Sequence, residues 1–223
     1  MLFLSVVLLA ALHAAPRCSP EVVVQGGGLR TWSHRCSDRV QVVLRSDGRP
    51  FDAEVELWKG PNNTPFRVRV YGDNGWLRPF NCAIETPRGP NTIAVRNLGP
   101  IALPIAAGVS SERVSRPSPE SSSNSQLVQG GASRNYPLDS NVRNVEVMLH
   151  ARGNPMYARV EILQGPDASR QVLQLYSEDG YKRPLYCCFA TPGCGNLVRV
   201  VNVAPVEFPL SVSLVPHSEG AHM

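Results

Sequence analysis

The side chains able to do covalent or acid–base chemistry are few and scattered. Of five His residues in 223, His13 falls in an apolar N-terminal stretch, His217 and His222 fall near the C-terminus, and only His34 and His150 remain in the body of the chain. Acid–base catalysis needs a titratable group within reach of the reacting proton, and nucleophilic catalysis needs a Ser or Cys beside a base. Neither His34 nor His150 recurs at the matching place of the internal repeat described below, so no catalytic set is assigned and the chain is read as a non-enzyme. Asp73 and Glu178 do recur at matching places, in turns. A calcium loop needs about five oxygen donors at set spacing, so these acids are read as turn chemistry, with no metal and no cofactor expected. Six Cys residues would suit disulfides in an oxidising compartment. Cys82 and Cys187, however, sit at equivalent strand positions and are read as small core residues, and Cys188 with Cys194 is the one hairpin bridge left open.

The elements that carry these residues are written twice. Val40 to Pro104 aligns without a gap onto Val145 to Pro209, matching Gly60-Pro61 to Gly165-Pro166, Arg78-Pro79 to Arg183-Pro184, Thr86-Pro87 to Thr191-Pro192, and Asn97 to Asn202. Upstream, Val24-Gln25-Gly26-Gly27 recurs as Val128-Gln129-Gly130-Gly131. A repeat of this kind sets the domain count before any local motif does. Within each copy, apolar and polar residues alternate: Phe66, Val68 and Val70 with Arg67 and Arg69, and Ala53, Val55 and Leu57 with Glu54 and Glu56. Period two is the mark of half-buried antiparallel strands. Asp47-Gly48, Gly60 to Asn63 and Asp73-Asn74-Gly75 are read as tight hairpin turns built from residues that tolerate positive φ.

The expected fold is therefore all-β, two tandem homologous β-sandwich or barrel-like domains from an internal duplication. Residues 1–15 read as a signal segment, 22–109 as the first β domain, and 110–125, rich in Ser and Pro, as a disordered flexible linker. Residues 126–216 are the second domain and 217–223 a disordered tail. The formal net charge is +4, but Lys and Arg are interspersed with acids and form no phosphate-tracking stripe, so nucleic acid is not an expected partner. No apolar run approaches the roughly 20 residues of a membrane span. Trp76, Trp32 and Trp58, with the repeated Arg78 and Arg183, are the candidate protein-interface residues, by residue type and repetition.

Several segments together resemble the pyrenoid shell proteins, PyShell, of diatoms and related complex-plastid algae: Gly27 to Ser33, Val55 to Pro65, Leu77 to Phe80, and Ile84 to Asn97. The resemblance implies a structural protein of two pseudo-symmetric β domains that assembles with itself into a sheet around the Rubisco-containing pyrenoid and supports CO2 fixation. It also implies a place in the plastid stroma at the pyrenoid periphery. The second module departs from the pattern at Tyr186 to Asn196, where Cys187, Cys188 and Cys194 cluster. The competing expectation is a secreted β-sandwich array that binds carbohydrate or protein.

Overall fold

The computed structural model describes residues 21–34, 37–87, 89–112, 114–165 and 168–218. The signal-segment reading, Cys18, Cys36 and His222 lie outside the described residues. The first module forms β1 (Val22–Val24), β2 (Leu29–His34), β3 (Arg39–Arg45), β4 (Phe51–Trp58), β5 (Phe66–Gly72), β6 (Phe80–Glu85), β7 (Asn91–Asn97) and β8 (Ile105–Ser110). A one-turn helix, α1 (Pro119–Ser123), follows. The second module forms β9 (Gln126–Val128), β10 (Ser133–Pro137), β11 (Val142–His150), β12 (Met156–Gln164), β13 (Ser169–Ser177), β14 (Leu185–Ala190), β15 (Asn196–Asn202) and β16 (Leu210–Ser218).

The alternation in the sequence is met on the strands: along β5, Phe66, Val68 and Val70 are buried while Arg67, Arg69 and Tyr71 are exposed. The turns depart from expectation. Gly60, at φ 81°, closes a true hairpin between β4 and β5, which are neighbours in one sheet. The Asp47-Gly48 and Asp73 to Gly75 turns instead cross from one sheet to the other, since β3 and β6 belong to the sheet opposite β4 and β5. Gly75 has no positive φ; it is required because a Cβ there would lie 2.6 Å from the Ser46 backbone nitrogen and 3.0 Å from the Phe51 ring.

The two modules do not form separate domains. One sheet runs β1-β8-β3-β6-β14-β11-β16-β9 and the other β10-β15-β12-β13-β5-β4-β7-β2, so each is eight-stranded and each passes through both modules. The seam lies at β6 against β14 in one sheet and β5 against β13 in the other. Equivalent residues face each other across it: Cys82 opposite Cys187, and Arg69 opposite Gln174, with Val70 opposite Leu173 and Val68 opposite Leu175. Such reciprocal pairing is that of a two-fold contact between like units, here made inside one chain. The axis pierces both sheets at the seam. Val68, Val70, Leu173, Leu175, Cys82 and Cys187 are all buried there and join the cores of both halves into one. Burying each large aliphatic of this group contributes roughly 1.5–3 kcal/mol, enough to hold the halves as one body. Separate domains were expected because a repeat shows that two units exist and is silent on whether their edge strands pair.

The connection between modules is a strap. Residues 114–123 cross the outer face of the first sheet: the Ser115 amide donates to the Gln41 side chain (2.8 Å) and Arg39 donates to the Ser115 carbonyl (3.5 Å). The Ser118 amide and the Ser121 hydroxyl both donate to Glu146 (3.2 and 3.1 Å). Ser118 also caps α1, accepting from the Ser121 amide. The expected disordered linker is therefore anchored in part; low hydrophobicity predicted no buried apolar area, but polar side chains on β3 and β11 hold it through hydrogen bonds. His217 and Ser218 likewise belong to β16 and not to a tail, with His217 Nε2 3.0 Å from Glu146.

Burial by itself would raise the Glu146 carboxyl, but hydrogen bonds from Ser118 and Ser121, with His217 nearby, hold it below the ordinary value of 4.5. A depressed carboxyl stabilises the bonded state above its unfolded value and loses that contribution as pH falls through its folded one. Protection of the Ser118 amide in hydrogen–deuterium exchange is therefore expected to be full near neutrality and to fall below pH 4.5, and to be low at every pH in Glu146→Ala, which removes the acceptor. Unchanged protection in that variant would show that the carboxylate does not hold the strap.

Candidate functional site

The five candidate residues separate into two groups. Trp76 projects from the β5–β6 turn and is 71% exposed. Its equivalent, Tyr181, is 77% exposed on the β13–β14 turn. Both turns are locked by the same device: the Asn74 side-chain oxygen accepts from the amides of Trp76 and Leu77 (3.1 and 3.0 Å), and Asp179 accepts from those of Tyr181 and Lys182 (3.0 and 3.1 Å). An Asx side chain bonding its own backbone fixes a turn locally, so these aromatics are held outward by rigid loops. Trp32 is half-buried on the edge strand β2 and packs against the core, as its equivalent Tyr136 does. Trp58 is half-buried on β4, its indole N–H donating to Glu56 (2.9 Å).

Arg78 and Arg183 are buried inside the fold and hold it. Arg78 donates to Asp73 (3.3 Å) and, across the seam, to the side-chain Oε1 of Gln164 (2.7 Å). Asp73 also accepts from Arg170 of β13 (3.3 Å), and the Gln171 side chain donates to the Arg78 carbonyl (3.4 Å). This cluster bolts the first module's turn to the second module. Burial pulls the Arg78 guanidinium below its ordinary basicity; Asp73 opposes this and Arg170 adds to it. The matching cluster at Arg183 is thinner: Glu178 lies 3.9 Å away, and the position equivalent to Gln164 is Lys59, which offers no acceptor. The sequence repeat made the two arginines look alike, but the partners that decide their roles come from the other module.

Among the described residues no three His, Cys, Asp or Glu side chains converge as a metal site. Cys82, Cys187, Cys188 and Cys194 are free thiols. Burial raises the Cys187 thiol well above its ordinary value and pushes Cys188 up to about 11, with Glu146 adding to the second. Thiols so shifted stay protonated and unreactive near neutrality. The Cys188–Cys194 bridge is not formed: β14 and β15 lie in opposite sheets, so the connection between them is no hairpin. Among the described residues no helix is long and apolar enough to cross a membrane.

Sequence reasoning passed over a second pair of residues. The Asn97 amide donates to the carbonyls of Val24 (3.0 Å) and Leu103 (2.8 Å), and its oxygen accepts from Gly99 (2.9 Å). Asn202 repeats the pattern with Val128 (3.0 Å), Phe208 (2.9 Å) and Ala204 (3.1 Å). Each ties the edge strand β1 or β9 to the end of its module. Recurrence of Asn at both positions was the available signal.

The site that emerges is a two-sheet β body with Trp76 and Tyr181 held outward on locked turns and Arg78 and Arg183 buried within it. The sequence matches the family described as diatom pyrenoid shell protein over residues 15–216, and the chain belongs to that family. The family is a structural one, and membership associates this protein with the pyrenoid of the plastid. No curated protein matches the chain. Similarity to solved structures is slight. The PBSX exported protein XepA is 9% identical over 86% of this chain and 84% of its own, with a TM-score of 0.27. The coconut allergen cocosin is 7% identical over 90% and 83%, with a TM-score of 0.18.

Proposed function

We propose that the protein is a non-catalytic tile that assembles with itself into a proteinaceous sheet around the Rubisco-containing pyrenoid, in the plastid stroma, and so supports CO2 fixation. The observation that carries this reading is the family match over nearly the whole described chain, from residue 15 to residue 216. The architecture suits the role. One rigid body with an internal two-fold relation offers related surfaces in opposite directions, and contacts that do not close generate open arrays.

Electron microscopy of the purified chain under reducing conditions, across a concentration series, tests the reading. Sheets or tubes formed without added ligand are the expected result. A monodisperse monomer at every concentration would overturn it and return a ligand-binding array to consideration; Rubisco co-sedimenting with preformed sheets would then separate direct matrix contact from mere enclosure.

A further inference from the structure

Cys82 and Cys187 occupy the middle of one row that runs across the first sheet. Val109, Val42, Cys82, Cys187, Val147 and Leu214 lie opposite one another in turn on β8, β3, β6, β14, β11 and β16. The row faces the core, and its flanking positions carry branched aliphatics while the two at the seam carry thiols. Alternation along β14 sends Cys188 to the other face, opposite Glu146, and Cys194 is exposed in the β14–β15 connection. Among the described residues, therefore, Cys82 and Cys187 are the thiols that face each other. Directly opposed residues on antiparallel strands hold their Cα atoms about 4.5–5.5 Å apart, within the roughly 4.4–6.8 Å that a disulfide spans. After burial itself, the adjacent Cys82 is the strongest influence on the Cys187 thiol.

The place of this pair in the fold gives it a mechanical meaning. The seam is uneven: seven registered pairs join β5 to β13, whereas two join β6 to β14, and one of those two is Cys82 with Cys187. Fewer main-chain contacts hold the halves together in the first sheet, so that side is the one a covalent link reinforces most.

We propose that Cys82 and Cys187 are a disulfide site, joined by a small-molecule disulfide acting as oxidant into a cross-seam bond that staples the two modules. One Cys thiolate attacks the small disulfide, expels one of its thiols and leaves a mixed disulfide on the chain. The thiolate of the other Cys then attacks the sulfur held by the chain and expels the second small thiol. The two cysteines lose two protons and two electrons, and the oxidant leaves as two thiols. Both residues are 1% exposed in the closed fold, so the exchange belongs to folding, while the seam is open. Closure then shields the bond in the core. The bond closes a loop from residue 82 to residue 187, and a long loop is where a cross-link restricts the unfolded chain most.

The test refolds the full chain from denaturant in a mixture of oxidised and reduced glutathione, and in parallel in dithiothreitol, with a peptide map by mass spectrometry under non-reducing conditions and a thermal melt of each product. The expected map contains a linked peptide pair holding Cys82 and Cys187, which dithiothreitol separates. The linked chain is expected to melt roughly 5–15 °C above the reduced one. Cys82→Ala and Cys187→Ala lose both the linked pair and the gain in Tm, while Cys188→Ala keeps both. Recovery of Cys82 and Cys187 as free thiols, or linked only to other cysteines, overturns the proposal. A linked chain that melts with the reduced one overturns the stapling role. If the alanine variants fail to fold, the map and melt of the unaltered chain decide the matter by themselves.

Discussion

Gly130→Ala is expected to be among the most damaging single substitutions in this protein, although it adds one methyl group. A Cβ at Gly130 would sit 1.8 Å from the Pro205 carbonyl oxygen, 2.3 Å from its carbon and 2.7 Å from the Ala204 oxygen. All three are backbone atoms, so no rotamer change relieves the clash. The loop they belong to is pinned by Asn202, and Gly131, next in the chain, donates to the Asn202 carbonyl (2.8 Å). Either β9 leaves its place beside β16 or the Ala204-Pro205 turn moves. Overpacking of this kind costs about 3 kcal/mol. For a chain of this length that is a fall in Tm of roughly 6–12 °C. Gly131→Ala is the control: its φ of 76° strains a side chain, but nothing lies within 4 Å of the added carbon. Its cost should stay near ~1 kcal/mol, the conformational term alone. Thermal melts of the two variants decide it, and equal losses would mean that the turn yields easily. Gly26→Ala, with the Pro100 oxygen 1.9 Å from its Cβ, is expected to follow Gly130→Ala.

The second large effect is expected at the seam. Arg78→Ala strips Asp73 of one of its two guanidinium partners and leaves the Gln164 side-chain Oε1 without its donor. Removing one member of a buried ionic cluster leaves the others desolvated and unpaired, at about 3–5 kcal/mol in a fully buried case. Asp73 is 26% exposed and keeps Arg170, so a loss of roughly 2–3 kcal/mol is the expected figure here. Arg183→Ala should cost less, since its acid, Glu178, is 3.9 Å away and 54% exposed. Denaturant unfolding of both variants gives the comparison. A loss at Arg183 equal to that at Arg78 would contradict the assignment of the seam lock to the first arginine. Because the lock crosses between modules, Arg78→Ala should also raise hydrogen exchange in β13 as well as in the β5–β6 turn.

The position of the lock bears on the proposed role. A tile in a sheet transmits force between its contacts, and a seam of two main-chain ladders with a shared core resists bending better than two domains on a tether. Inter-domain motion is the default where the junction is small and polar. Here the junction buries Val68, Val70, Leu173 and Leu175, so the two ends that carry Trp76 and Tyr181 keep a fixed relation.

By itself the sequence determined that the chain is β, that it is written twice, and which residues point inward on strands such as β5. These are local properties: the pleat has a period of two, and a gapless repeat leaves its register in the residues themselves. The family was legible for the same reason, in contiguous segments such as Val55 to Pro65. Tertiary structure alone decided what lies next to what. It paired β5 with β13 and β6 with β14, turning two expected domains into one body. It buried Arg78 and Arg183, which residue type and repetition had marked as contact residues alongside Trp76, and left Trp76 in solvent. It anchored the Ser-rich connection through Glu146, and it separated Gly130 from Gly131, identical neighbours in the sequence. Each of these depends on partners far away along the chain, and pairing energies between distant strands leave no period in a single sequence for the eye to find.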